Sequence, residues 1–203
     1  MSKFIGLVGT HGSGKTSLAQ AYADAHPGTT FIKTGVSDVY KSFKTDPKIR
    51  MSLEQRMDIQ EKVLEVLCDQ WEQGLLSHKG EGNVITDRTP FCLIGYTLAE
   101  VSGYDEISDE LSSRIMLYVI QCNLAAQAFD GIVHVPIALP MVVDPFGKVR
   151  AASSLAYRLH LDMLMTKSVL DTGVTPHRLF GIDLSERVKS VERAFDSIDS
   201  MPI

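Results

Sequence analysis

Eight residues near the N-terminus have the types and spacing of a phosphate-binding loop. The run Gly9–Thr16, with the sequence GTHGSGKT, matches the pattern GxxxxGK[ST] in full. It lies between a short apolar segment, Phe4–Val8, and a helical segment, Thr16–Ala25, which is the context the motif requires. Glycines let the backbone turn tightly and present successive N–H groups to phosphate oxygens, and the start of the helix adds its positive dipole end. The pattern predicts that this loop binds the phosphates of a nucleotide.

Two side chains at the end of the loop have the chemistry that phosphoryl transfer needs. The ammonium of Lys15 is expected to reach the β- and γ-phosphates, and the hydroxyl of Thr16 is expected to bind Mg²⁺. His11 and Ser13 are expected only to line the loop and are assigned no chemical step. A glycine-rich turn that binds nothing is the alternative, and both the motif and its context count against it. The predicted phosphate-binding residues are Gly9, Thr10, His11, Gly12, Ser13, Gly14, Lys15, Thr16 and Ser17.

A second group with chemical potential is the pair Asp87-Arg88, which ends the apolar segment Asn83–Asp87 and stands just before Pro90. Asp87 can act as a general base on an acceptor hydroxyl, or it can hold Mg²⁺ directly or through water. The sequence leaves these two roles open. Arg88 can offer a planar fork of donors to a phosphate or to the charge that develops during transfer. A structural ion pair, with Asp87 capping a helix that starts at Pro90, is the other interpretation, and the two can coexist.

Alternating strands and helices must position these groups. Ser52 and Gln55 form a capping box that opens a long helix ending near Gly74, and the run Asp183–Glu186 opens a final amphipathic helix. Strands that alternate with helices imply a mainly parallel sheet covered on both faces, with ligands at the carboxyl ends of the strands. The predicted strands are Phe4–Val8, Thr29–Lys33, Asn83–Asp87, Gly131–Leu139 and Thr175–Ile182, and further helices are predicted at 90–101 and 108–129.

The composition excludes several classes of protein. A chain of 203 residues with 44% hydrophobic and 22% charged residues is typical of one globular domain, and its net charge of −5 provides no overall attraction to nucleic acid or anionic lipid. Three scattered cysteines without a CxxC pair argue against a disulfide framework or a zinc site and favour a reducing cytoplasm. No apolar run reaches the ~20 residues of a membrane span, so no membrane association is expected.

The loop Gly9–Thr16, the strand-end pair Asp87-Arg88 and the alternation of five strands with helices resemble the P-loop kinases of the nucleoside and nucleotide kinase group. The run 87–96, with the sequence DRTPFCLIGY, is similar to small nucleotide-kinase-like ATPases that are common in bacteriophages. Some of those relatives phosphorylate deoxynucleoside monophosphates, and others phosphorylate a hydroxymethylated pyrimidine base within phage DNA. The resemblance spans most of the chain and implies one three-layer α/β/α domain over residues 1–203, with a five-stranded, mainly parallel sheet.

This sequence departs from the family in two places. Thr89 follows Arg88, so the DRY triplet of thymidylate kinases is absent, and the expected lid contains no tight arginine pair. The resemblance implies a lid over about 144–167, whose arginines close over the γ-phosphate and exclude water. Arg150 and Arg158 are the candidates for this role. The predicted catalytic residues are therefore Lys15, Asp87, Arg88, Arg150 and Arg158, and the predicted metal ligands are Thr16 and Asp87.

The resemblance also implies an acceptor-binding region over about 33–76. The segment Lys33–Arg56 contains six basic and three acidic residues, a net charge of +3 within a chain of −5. That charge suits an anionic acceptor, and an ordinary solvated surface explains it about as well. Arg56 and Gln60 lie four residues apart, hence on one helix face. The predicted acceptor-binding residues are Lys33, Asp38, Arg56, Gln60 and Arg88.

The resemblance leads to an expected activity: transfer of the γ-phosphoryl group of ATP, with Mg²⁺, to a nucleotide-type acceptor, with a (deoxy)nucleoside monophosphate favoured. One alternative acceptor is the hydroxymethyl group of a modified pyrimidine of the 5-hydroxymethyluracil type in phage DNA, since a single flipped-out nucleotide needs only a local basic wall. An NTPase switch or motor subunit is the alternative of another class, although no Asn-Lys-x-Asp run is present to recognise guanine. The expected location is the cytoplasm, that of the host if the protein is phage-encoded, and a homodimer is compatible with the sequence.

Overall fold

A computed structural model gives the structure of the protein and describes residues 2–46, 49, 51–80, 82–137 and 154–199. Within these ranges the chain forms five strands and seven helices. The strands are β1 (Phe4–Val8), β2 (Thr30–Ile32), β3 (Val84–Thr86), β4 (Gly131–His134) and β5 (His177–Arg178). The helices are α1 (Lys15–Ala25), α2 (Val36–Ser42), α3 (Leu53–Ser77), α4 (Pro90–Val101), α5 (Asp109–Ala126), α6 (Leu155–Leu170) and α7 (Leu184–Asp199).

The five strands form one sheet in the order β2-β3-β1-β4-β5, and every described pair is parallel. The central strand is β1, which pairs with β3 from Phe4 opposite Val84 and with β4 up to Val8 opposite His134. Parallel strands end at the same edge, so the segments that follow β1, β2, β3 and β4 leave the sheet side by side. The predicted α/β fold with a parallel five-stranded sheet is confirmed.

The two faces of the sheet carry different layers of helices because successive residues of β1 point to opposite sides. Ile5 and Leu7 join a buried cluster that includes side chains from α1 and α7. Phe4 and Val8 join a larger buried cluster built with α3, α4, α5 and α6. No helix within the described ranges is long and apolar enough to cross a membrane.

The long helix α3 begins as predicted and ends later than predicted. Ser52 accepts a hydrogen bond from the backbone N–H of Gln55, and the Gln55 side chain accepts one from the N–H of Ser52, so the capping box is present. The predicted end near Gly74 is wrong, because α3 continues to Ser77. A methyl group at Gly74 would overlap the side chain of Ile32 on β2, so this glycine allows close packing against the sheet.

Two further differences concern short elements. The sequence did not predict α2, whose seven residues follow an N-cap glycine, Gly35, that supplies no side-chain cap, and are too few to show a clear helical repeat. The strand predicted over 175–182 is only His177–Arg178, because β5 lies at the sheet edge and pairs with β4 alone. Likewise β4 ends at His134, and residues 138 and 139 of its predicted span lie outside the described residues.

Candidate active site

The loop Gly9–Thr16 connects the central strand to α1 and has the backbone of a phosphate-binding loop. Gly12 and Gly14 have φ angles of +73° and +93°, in the left-handed region that other residues rarely adopt. Lys15 is 9% exposed, and its Nζ donates hydrogen bonds of 2.7 Å to the carbonyls of Gly9 and Thr10. The ammonium is therefore held by carbonyls of the loop itself, and a bound phosphate group would compete with those two carbonyls for its N–H donors.

A tyrosine from α4 holds the first half of the loop. The backbone N–H of His11 donates to the hydroxyl of Tyr96 over 3.2 Å, and the same hydroxyl lies 3.1 Å from Nδ1 of His11. Burial raises the pKa of Tyr96 to about 12, so the hydroxyl keeps its proton and can donate to that nitrogen. The guanidinium of Arg88 lies 5.8 Å from the centre of the Tyr96 ring. Tyr96 thus joins the loop to Arg88, a role that its sequence position did not reveal.

An arginine from α7 holds the second half of the loop. Nη1 of Arg187 donates to the carbonyl of Ser13 and Nε donates to the carbonyl of Gly181, each over 3.1 Å. Arg187 is 1% exposed, and burial lowers its pKa. Arg187 therefore ties the loop to α7 through the Ser13 carbonyl. The sequence offered one signal for Arg187: it lies four residues before Val191 on the buried side of an amphipathic helix.

Asp87 follows β3 and lies directly beside the end of the loop. The hydroxyl of Thr16 donates to Oδ2 of Asp87 over 2.5 Å. Oδ1 accepts two further hydrogen bonds from Thr34, one from its backbone N–H at 3.2 Å and one from its hydroxyl at 2.9 Å. The carboxylate is 7% exposed and links the ends of β1, β2 and β3. The structure therefore brings together the two predicted metal ligands.

Beside the predicted acceptor-binding region lies a cluster of polar side chains, which we call the tyrosine–arginine cluster: Tyr40, Arg56, Glu100 and Tyr157. Nε of Arg56 lies 3.7 Å from Oε2 of Glu100, and its Nη2 donates to the carbonyl of Ile49 over 3.1 Å. Burial raises the pKa of both tyrosines; Arg56 opposes the rise at both, whereas Glu100 adds to it. Of this cluster, the sequence predicted only Arg56.

Gln60 is 7% exposed and lies one turn beyond Arg56 on α3, so these two residues share a buried face. Arg88, another predicted acceptor residue, lies near this cluster, because its charge opposes the rise in the pKa of Tyr40. Lys33 and Asp38 are exposed, and Asp38 pairs with Lys41 over 2.7 Å on the surface of α2. Their role in acceptor binding stays a prediction.

The predicted lid is described only in part. Arg150 and the turn-rich segment 144–150 lie outside the described residues. Arg158, in the first turn of α6, is 3% exposed, and its Nε and Nη2 have no hydrogen-bond partner in the described part of the chain. No group of three or more histidine, cysteine, aspartate or glutamate residues suited to a metal ion occurs within the described ranges. The oxygen pair of Thr16 and Asp87 is thus the arrangement that the loop itself offers to a cation.

Comparisons with known proteins support the fold. No family model matches the sequence, and no curated protein is similar to it. The structure resembles deoxyadenosine kinase from M. mycoides with a TM-score of 0.64 and 15% identity, covering 96% of this chain and 99% of that one. It resembles thymidylate kinase from Candida albicans with a TM-score of 0.62 and 13% identity, covering 98% and 92%. It also resembles the NadR protein with a TM-score of 0.69 and 16% identity, covering all of this chain and 52% of that one.

Proposed function

We propose that this protein is an ATP- and Mg²⁺-dependent phosphotransferase that moves the γ-phosphoryl group to a nucleotide-type acceptor, a (deoxy)nucleoside monophosphate. The observation that carries the proposal is the contact between Thr16 and Asp87, 2.5 Å apart at the end of a loop that also holds the Lys15 ammonium. The fold shared with deoxyadenosine kinase and thymidylate kinase supports it. In this arrangement catalysis consists of positioning and charge neutralisation around the transferred group.

The residues at the loop fit Mg²⁺, which prefers oxygen ligands. A hydroxyl and a carboxylate oxygen lie side by side at Thr16 and Asp87, and these residues would hold the ion. When bound, Mg²⁺ neutralises charge on the β- and γ-phosphate oxygens. Both Asp87 oxygens already accept hydrogen bonds, from Thr16 and from Thr34. A carboxylate has about four lone-pair sites, so these contacts leave Asp87 able to serve as a metal ligand or as a general base.

Arginines supply the remaining positive charge. Arg88 lies over Tyr96 beside the loop, where its planar fork of donors can bind a phosphate of either substrate. Arg158 has buried nitrogens without a partner among the described residues, which favours an anion as their ligand. We assign Arg158 to the transferred phosphoryl group and Arg88 to the phosphate of the acceptor.

The charges on the acceptor side favour a mononucleotide over a DNA strand. A strand is bound through several phosphate contacts, each of which needs an available cation. In the basic segment, Lys41 is neutralised by Asp38, and Arg56 lies beside Glu100. A mononucleotide needs only one such phosphate contact, and Arg56 and Gln60 remain near enough on one face to bind one base or sugar.

One assay tests the proposal. ATP labelled at the γ-phosphate is incubated separately with deoxynucleoside monophosphates, with nucleosides and with DNA that contains 5-hydroxymethyluracil. We expect label to appear in a nucleoside diphosphate. Label that appears only as free phosphate with every acceptor would refute the kinase and favour an NTPase, and label in DNA would identify the modified base as the acceptor.

A matched pair of variants links the transfer to the loop. Lys15→Ala should lower the rate of transfer by at least about a hundredfold, on the scale of losing one preorganised electrostatic group. Lys79→Ala removes an exposed ammonium of the same charge outside the predicted acceptor-binding region and should leave the rate within twofold of the wild type. Near-normal transfer by Lys15→Ala would remove Lys15 from the mechanism.

A further inference from the structure

A buried histidine–aspartate pair lies beside the site and has no role in the mechanism above. Nε2 of His134, at the end of β4, is 3.0 Å from Oδ1 of Asp162 on α6. The side chains are 2% and 12% exposed. The hydroxyl of Thr166 lies 3.5 Å from the same nitrogen. Buried polar groups of this kind are costly unless they are paired, so the pair fixes the two elements relative to each other.

His134 is mounted on the same rigid edge as the phosphate-binding loop. It stands opposite Val8, the last residue of β1 before the loop, and its carbonyl accepts a hydrogen bond of 3.0 Å from the N–H of Leu179. The next residue, Val135, donates to the carbonyl of Val8 over 2.8 Å. These hydrogen bonds therefore fix the backbone of His134 relative to the loop. A side chain that contacts its ring is thereby held in place relative to the loop as well.

On α6 the partner residues recur every fourth position. Arg158, Asp162 and Thr166 lie on one face of the helix, one turn apart, or about 6 Å between successive residues. Asp162 and Thr166 contact His134, whereas the guanidinium of Arg158 is buried and two of its nitrogens have no partner within the described ranges. A contact at Asp162 fixes the rotation of α6 about its axis, and this rotation decides where Arg158 points.

We propose that the His134–Asp162 pair is a positioning device, which holds Arg158 against the transferred phosphoryl group by fixing α6 to the loop-bearing edge of the sheet. The inference rests on the proposed function and adds to it a residue pair that touches no substrate. A buried guanidinium with unpartnered nitrogens is destabilising by itself, and an anion that arrives with the nucleotide satisfies it. The pair keeps that guanidinium preorganised, so little reorganisation is needed during transfer.

A double-variant cycle tests whether Asp162 acts through Arg158. Asp162→Ala should lower kcat for transfer about tenfold and leave the KM values for ATP and acceptor within twofold. Arg158→Ala should lower kcat at least as much, and the variant with both changes should be no slower than Arg158→Ala alone. Asp162→Asn keeps an acceptor oxygen for His134 and should recover most of kcat. Asp171→Ala, at the exposed end of α6, is the control and should match the wild type.

The outcomes separate this inference from the function on which it rests. The positioning role would be overturned if the losses of kcat multiply in the double variant, or if kcat is unchanged in Asp162→Ala. A merely structural role of Asp162 would lower the melting temperature, and its loss of kcat would still add to that of Arg158→Ala. If Asp162→Ala does not fold, His134→Gln is combined with Arg158→Ala in the same cycle and must give the same non-additive result. Wild-type protein that binds ATP and transfers no phosphoryl group would overturn the proposed function as well.

Discussion

Replacing Arg187 by methionine tests how far the phosphate-binding loop depends on α7. The change removes two hydrogen bonds from a charged donor, to the carbonyls of Ser13 and Gly181. Each such bond contributes about 1.5–3 kcal/mol, so the two together stabilise the folded state by roughly 3–6 kcal/mol. Against this, keeping a guanidinium buried costs several kcal/mol, and Nη2 of Arg187 has no partner among the described residues. Methionine has a similar length and is a good helix former, so it fills the space without that cost.

In the free energy of unfolding, the loss of the two hydrogen bonds is nearly offset by removal of the cost of burying the guanidinium. Nucleotide binding is affected only by the loss of the hydrogen bond to the loop. Without Arg187 the Ser13 carbonyl is released, and the loop must be ordered when the nucleotide binds. We expect the Kd for MgATP to rise about tenfold, which corresponds to about 1.4 kcal/mol. This is close to the lowest contribution expected of one charge-assisted hydrogen bond. The melting temperature should change far less than that loss of affinity would suggest.

Calorimetric titration with MgATP and thermal unfolding measure the two quantities on the same sample. Arg193→Met is the matched control, because it makes the same substitution at an exposed position of the same helix and should bind MgATP as the wild type does. An Arg187→Met protein whose Kd stays within twofold of the wild type would refute the role of Arg187 in ordering the loop. Equal losses in both variants would point to net charge as the cause.

Two further changes test the electrostatics and the packing. Burial, assisted by the charge of Arg193, lowers the pKa of His177. As the pH falls below about 6.5, the unfolded chain therefore binds a proton before the folded protein does, and the free energy of unfolding should decrease. Urea midpoints at pH 7.5 and pH 5.0 should differ less in His177→Asn than in the wild type, and an equal difference would contradict this assignment. Gly95→Ala places a methyl group into Met165 of α6 and should destabilise the protein by about 1–3 kcal/mol, lowering the melting temperature by roughly 5 °C. In Gly103→Ala the methyl group has ordinary contacts, so its melting temperature should stay near the wild-type value, and equal melting temperatures for both variants would count against close packing of α4 on α6.

Sequence reasoning succeeded where the determinants are local. The bounds of β1 and of α4 are those predicted, because an apolar run that stops at glycine and a proline at a helix start are strong signals over a few residues. The capping box of α3 is likewise a short-range pattern, formed by Ser52 and Gln55. The alternation of strand and helix predicted the parallel sheet, and the place of β3 beside β1 in that sheet accounts for the meeting of Thr16 and Asp87.

Some contacts depend on how a distant helix is rotated about its own axis, and these could not be predicted in the same way. Tyr96 reaches His11 across 85 positions of sequence, and Arg187 reaches Ser13 across 174. Which residue of a helix meets the loop depends on how the helix rotates against its neighbours, and that rotation is a result of packing. A one-residue change in phase would turn Arg187 toward solvent, so only its place on the buried side of α7 marked it in advance.

The long reach of Arg187 has a consequence for synthesis on the ribosome. The side chain that holds Ser13 is translated 174 residues after Ser13 itself. At about 5–20 residues per second this interval lasts roughly 10–35 s. The strand that carries the loop also waits for its second neighbour, β4, before it becomes the centre of a sheet. On the proposed function, a nascent chain gains its full affinity for nucleotide only after α7 has been translated, and nucleotide binding to ribosome-bound chains of increasing length would report when α7 has joined the fold.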